Sequence, residues 1–181
     1  MFLKYADQAT QEITPEGFST FFTDIGIDLT DAMSLAVPWQ LKAKKVGYFT
    51  KAEFVGGWRA LGCYSLEAMK QHMGKVKVAL ENEATFKEFY IYVFDYAKGP
   101  LENKKFLELQ IAIEMWKTTL THKYPLLNEW VHYLKNNHKK SINRDTWQLF
   151  LDFTKTKIDC YDQDGAWPSL IDEFVIYLKN M

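Results

Sequence analysis

The chain has 181 residues, 48% of them hydrophobic and 25% charged, with a formal net charge of −1, a composition close to that of an average soluble globular protein. The near-neutral balance argues against wrapping nucleic acid through bulk positive charge. No run of about 18 apolar residues offers a membrane span, and Met1-Phe2-Leu3-Lys4-Tyr5 lacks the basic-then-apolar start of a signal peptide.

The length permits one domain or two tightly fused halves. Aromatic residues reach 16% against only nine Gly and five Pro, which points to helices packed by large side chains rather than many short strands. Cys63 and Cys160 lie far apart without paired spacing and read as free thiols of a reducing compartment.

Helix signals then recur along the chain. Thr14-Pro15-Glu16 reads as a capping Thr with Pro at the first helical position, followed by Phe18, Phe21, Phe22 and Ile25 at helical spacing and stopped near Gly26. Thr30 and Asp31 start a second helix with Leu35, Val37 and Leu41 inward, and Pro38 inside it predicts a kink or early stop. Thr50-Lys51-Ala52-Glu53 matches the capping box, with Phe54, Trp58 and Leu61 as its stripe and Gly62 as its end. Ser65 caps a helix to about Leu80.

Phe86 to Phe94 has a strand-like composition, but its length and the Gly99-Pro100 stop favour a helix. The next helix covers about Leu107 to Leu120 with Ile111, Met115 and Trp116 inward. Pro125 opens another, carrying Leu127, Trp130, Val131 and Leu134. Asn143 caps one carrying Trp147, Phe150 and Leu151. Trp167-Pro168 opens the last, with Ile171, Phe174, Val175 and Leu178. The fold expected is all-α, with eight or nine helices and no strand, and the polar loop near Gly99–Lys105 dividing two helical halves.

Candidate chemistry is sparse. With Gly165 at the sixth position of a calcium loop, Asp162 and Asp164 fall correctly, but Cys160 and Ile171 occupy the first and twelfth positions, where carboxylates are needed. His72, His122, His132 and His138 form no pair at ligand spacing. Cys63 comes after a helix end, where a thiolate is not stabilised, so a thioester-forming ligase is disfavoured. No phosphate loop or serine elbow occurs. Lys135-Asn136-Asn137-His138-Lys139-Lys140 reads as a solvated helix end. Asp145, in the first turn after Asn143, suits the helix dipole. Further on, Asp159, Asp162 and Asp164 precede Gly165-Ala166-Trp167-Pro168, and Asp172-Glu173 come after it. The small Ala166 among these charges leaves room for a bulky partner side chain.

Arg144-Asp145-Thr146-Trp147 and Gly165-Ala166-Trp167-Pro168-Ser169-Leu170-Ile171-Asp172-Glu173-Phe174-Val175 resemble the potentiating-neddylation domain of the defective-in-cullin-neddylation (DCN-like) family. Glu53-Phe54, Leu61-Gly62-Cys63, Phe86-Lys87-Glu88-Phe89-Tyr90, Tyr96-Ala97-Lys98, Ile113 with Trp116, and His138-Lys139-Lys140-Ser141-Ile142 fit the same pattern in order. The resemblance covers nearly the whole chain and makes residues 1–181 one such domain of two EF-hand-like helical halves without calcium sites. Its first helix is clipped at Met1, and there is no room for a ubiquitin-associated domain.

The resemblance implies a non-catalytic co-factor that holds a cullin and the neddylation conjugating enzyme together, with no cofactor and no metal. Asp145, Ala166 and Asp172 match the family's cullin-binding patch, facing the cullin's C-terminal winged-helix region. An apolar pocket for the acetylated N-terminal Met of the conjugating enzyme matches Phe18, Val37, Leu41, Val46, Phe49, Tyr96, Met115 and Thr118. Pro38, Thr118 and Val46-Gly47 depart from the family's usual residues there. The RING subunit of the cullin ligase is engaged indirectly. The expected protein is a monomer of nucleus and cytoplasm that binds neither nucleic acid nor membrane. The alternative of another class is a calcium-responsive, EF-hand-like helical binding protein.

Overall fold

The computed structural model describes residues 1–100 and 105–180. It is all-α in character. Ten α-helices occur among the described residues: α1 Phe2–Tyr5, α2 Pro15–Ile25, α3 Met33–Leu41, α4 Gly57–Ala60, α5 Leu66–Ala79, α6 Glu83–Lys98, α7 Leu109–Leu120, α8 Leu127–Asn137, α9 Arg144–Phe153 and α10 Ser169–Lys179. The chain divides into two units, Met1–Pro100 and Leu101–Met181. The division falls at the start of the Gly99–Lys105 loop expected to mark it, of which residues 101–104 lie outside the described residues.

In the first unit, α2 ends at Gly26 in the left-handed region (φ 71°). There the Ile27 amide donates to the Phe22 carbonyl and the Gly26 amide to Thr23, the paired closure that a glycine stop permits. Thr14 supplies only the extended backbone of the N-cap and makes no side-chain bond. The second helix starts later than expected, because Asp31 caps from outside it, its Oδ1 accepting from the Met33 amide at 2.8 Å.

Pro38 does not stop this helix, which runs to Leu41. The proline forfeits one hydrogen bond, to the first-turn residue Ser34, while Leu35, Ala36, Val37 and Leu41 stay buried. The capping box forms as expected. Thr50 Oγ1 accepts from the Glu53 amide at 3.2 Å, and Glu53 Oε2 accepts from the Thr50 amide at 2.8 Å. The box opens into a π-turn, Ala52–Gly56, before α4. A Cβ on Gly57 would stand 2.7 Å from Leu41 Cδ2, so a glycine lets this widened turn lie against α3. Asn82, not singled out from the sequence, caps α6 by accepting from Ala84 and Thr85.

Short bridges, not expected from the helical pattern, join the loops. Ile13 and Phe49 exchange both backbone hydrogen bonds, at 2.9 and 3.0 Å, and Ile13 also bridges Ala6. Behind them Phe21 lies 4.9 Å edge-on to Phe54 and 5.2 Å from Tyr5. α1 crosses α2 so closely that a Cβ on Gly17 would sit 1.9 Å from the Tyr5 carbonyl oxygen.

The second unit repeats the device. Strands β1, Phe106–Leu107, and β2, Ile142–Asn143, pair antiparallel with Leu107 opposite Ile142, both buried. Leu107 therefore belongs to a strand, and α7 begins at Leu109. Its buried stripe is Ala112, Ile113, Trp116, Thr119 and Leu120. Ile111 and Met115, expected inward, are half-buried on its flank, since the bulk of Trp116 sets the inward direction. Pro125 lies in the turn before α8, and Leu178 is half-buried. Trp116 stacks on Trp147 at 5.0 Å, Trp130 stacks on Phe150 at 4.3 Å, and Trp130 meets Phe174 edge-on at 4.9 Å. These rings tie α7, α8, α9 and α10 together.

Gly17→Ala is expected to lower unfolding free energy by about 2–4 kcal/mol through its clash with the Tyr5 backbone. Gly74→Ala, in exposed α5 with open space around it, should raise it by about 0.5–1 kcal/mol. Chemical denaturation of both variants checks the pair.

Candidate functional site

The acidic surface lies in the second unit. Asn143 leaves β2 extended and turns its Oδ1 to the Thr146 amide, at 2.7 Å. This starts α9 and places Asp145 in its exposed first turn. Eight residues on, Phe153 packs against Trp167 and Phe174 at 6.1 Å each, so Asp145 stands about 12 Å along the helix axis from that contact.

Ala166 and Asp172 belong to one loop and helix entry. Gly165 is required there, since a Cβ would lie 2.9 Å from Trp167 Nε1 and 3.0 Å from the Asp162 carbonyl. The Trp167 amide folds back to the Gly165 carbonyl at 2.8 Å, and Ala166 is left exposed. Pro168 ends the loop in extended backbone and α10 begins. Asp172, half-exposed in its first turn, accepts a hydrogen bond at Oδ1 from the Tyr161 hydroxyl at 2.5 Å. The Tyr161 ring stacks on Trp167 and meets Phe153 edge-on, each at 5.8 Å. Burial, then the Asp172 hydrogen bond, raise the Tyr161 phenol pKa. Glu173 is held in parallel, its Oε2 accepting from the Tyr133 hydroxyl at 3.0 Å. Burial and this carboxylate raise Tyr133 likewise.

Sequence reasoning did not single out either tyrosine. No spacing rule links position 161 to 172 across an irregular loop.

Six of the eight apolar candidates lie in the first unit. Phe18, half-buried, stacks on Phe49 at 5.1 Å and on Phe22 at 4.4 Å. Val37 and Leu41 are buried in α3, and Phe49 and Tyr96 are buried as well. The loop bearing Val46 is bolted from three sides. Glu53 Oε1 accepts from the Lys44 amide at 3.1 Å, the Tyr92 hydroxyl donates to the Ala43 carbonyl at 2.8 Å, and the Tyr96 hydroxyl accepts from the Gly47 amide at 3.2 Å. Burial pushes the Tyr96 pKa up to about 12. Val46 itself is 51% exposed. Met115 and Thr118, half-buried on α7, belong to the second unit.

A cleft of about 180 Å³ in the first unit, walled by Phe2, Phe54, Trp58, Cys63 and Met69, includes none of the eight. Cys63 is buried, its thiol 3.5 Å from the Leu61 carbonyl and 3.6 Å from that of Ala68, and burial pushes its pKa up. A thiol so placed is a poor nucleophile.

Among the described residues no group of three or more His, Cys, Asp and Glu could hold a metal ion. Asp162 Oδ1 accepts instead from the Asp164 amide at 3.0 Å. No described helix is long and apolar enough to cross a membrane.

The family described as Cullin binding matches residues 68–177. The chain is 33% identical to "Defective in cullin neddylation protein 1" of Yarrowia lipolytica, over 99% of its own length and 77% of the relative's. It is 32% identical to "DCN1-like protein 5" of Homo sapiens, covering 98% and 75%, and to "DCN1-like protein 3" of Bos taurus, covering 97% and 60%.

The two thiols differ in accessibility. A disulfide reagent at pH 8 is expected to titrate Cys160, which is exposed, at once, and to reach Cys63 only after denaturant is added. Two fast thiols in the native protein would contradict the packing around Cys63.

Proposed function

We propose that this chain, which belongs to the cullin-binding, DCN1-like family, is a non-catalytic co-factor of cullin neddylation. It holds the cullin's C-terminal winged-helix region through Asp145, Ala166 and Asp172. It holds the acetylated N-terminus of the conjugating enzyme through the apolar residues Phe18, Val37, Leu41, Val46, Phe49 and Tyr96 of the first unit, and engages the RING subunit only indirectly. In this reading it works as a monomer, in nucleus and cytoplasm.

The observation that carries the reading is the entry to α10. There an exposed alanine lies in the loop that leads to a carboxylate whose position is fixed by a buried phenol. An exposed small residue permits close approach of a partner, and the fixed negative charge selects a basic one. Such contacts steer association and specificity more than they add raw affinity. A co-factor of this kind needs no nucleophile, because fixing two proteins in one geometry removes translational and orientational freedom from the transfer step. An acetyl group suits the apolar site for a related reason: a charged terminal amine is costly to bury unpaired.

Charge reversal tests the acidic surface. Asp145→Lys and Asp172→Lys are each expected to weaken binding of a cullin winged-helix fragment about tenfold or more, both variants remaining folded and only Asp172→Lys melting lower, because it leaves the Tyr161 hydroxyl without its acceptor. The wild-type affinity should fall as salt rises. Wild-type binding by the double variant would overturn the assignment. For the apolar site, calorimetry should show the acetylated N-terminal peptide of the conjugating enzyme binding at least about tenfold tighter than the free-amine peptide. Equal affinities would remove that half of the proposal.

A further inference from the structure

We propose that Tyr161 is a positioning residue of the cullin contact, holding the Asp172 carboxylate by Oδ1 and leaving Oδ2 to the partner's cation. The proposal rests on the reading of Asp172 as a cullin-binding residue and adds how that residue is made ready. The hydroxyl-to-Oδ1 distance of 2.5 Å is that of a charge-assisted hydrogen bond. Tyr161 is only 8% exposed, and its ring is held between the faces and edges of Trp167 and Phe153. The phenol therefore has no freedom to swing away, and the carboxylate it holds inherits that fixity. Asp145 has no such tether: no side-chain hydrogen bond or ion pair involves it among the described residues.

The two aspartates thus differ in kind. Asp145 must be ordered by the partner, whereas Asp172 is ordered beforehand, and a preset group gives up less freedom on binding. The phenol also occupies one lone pair of Oδ1, which makes Oδ2 the freer acceptor for the partner.

The test is a double-mutant cycle on binding of the cullin winged-helix fragment, read by calorimetry, with a thermal melt of each variant as the fold check. Asp172→Asn should weaken binding about tenfold, and Tyr161→Phe about three- to tenfold. Tyr161→Phe should add almost nothing once Asp172→Asn is present, yet keep its full effect beside Asp145→Asn. A ring-carbon nuclear magnetic resonance titration of Tyr161 provides a second readout, since Asp172→Asn should lower that phenol's pKa from its raised value in the wild type.

If Asp172→Asn weakens binding and Tyr161→Phe does not, the positioning role is wrong and the cullin surface stands. Equal losses from Tyr161→Phe on every background mean that the hydroxyl acts by a route other than Asp172, and again overturn the proposal. If Asp172→Asn binds like wild type, the underlying surface assignment fails.

Discussion

Ile13 and Phe49 sit fully buried and exchange both of their backbone hydrogen bonds, and Leu107 and Ile142 form the matching buried pair in the second unit. Buried backbone polar groups must be paired. A loop segment buried this deeply can meet that requirement only by finding another loop in register. Each bridge therefore fixes where the next helices start. α2 comes after Ile13, the capped π-turn after Phe49, α7 after Leu107 and α9 after Asn143. The aromatic core of each unit, Phe21 with Phe54 in the first and Trp116 with Trp147 in the second, then packs helices whose origins are already set. The arrangement is that of coupled helix–loop–helix pairs. It uses hydrophobic burial where a calcium-binding protein of similar build would use charge.

The acidic face shows how a core can serve a surface. Phe153, Trp167 and Tyr161 are packed against one another, and the last of these reaches out with its hydroxyl to Asp172. Tyr133, packed on Trp130 and Phe174, does the same for Glu173. Aromatic side chains with a polar tip suit this work, since the ring is locked by packing while the hydroxyl meets solvent-side groups. Both carboxylates are thereby attached to the aromatic core of the unit.

Much of this was legible in the sequence. The capping box at Thr50, the caps at Ser65 and Asn143 and the stops at Gly26 and Gly62 are local chemistry, and local chemistry survives folding. Phe86 to Phe94 forms part of α6 because its flanking signals outweigh its strand-like composition. The bridges at Ile13–Phe49 and Leu107–Ile142 were not legible, for each joins residues more than thirty positions apart over two residues or fewer and leaves no periodic trace. The early stop that Pro38 suggested does not occur, for a different reason. A helix-breaking penalty is stated for an isolated helix, and here burial of the surrounding residues outweighs it. The candidate positions Asp145, Ala166 and Asp172 were named by motif, while the tyrosines that hold Asp172 and Glu173 were invisible, because a contact across an irregular loop has no spacing signature.

The loop from Ala43 to Gly47 has no regular structure, yet Glu53, Tyr92 and Tyr96 each anchor it through a different backbone group. None of these anchors involves the side chain at Val46, which stands half out of the surface. The backbone is thus a fixed socket and residue 46 an interchangeable fitting. A lineage can substitute that one side chain, larger, smaller or polar, without re-forming the loop that presents it. Divergence at that position then needs no loop remodelling and no loss of fold.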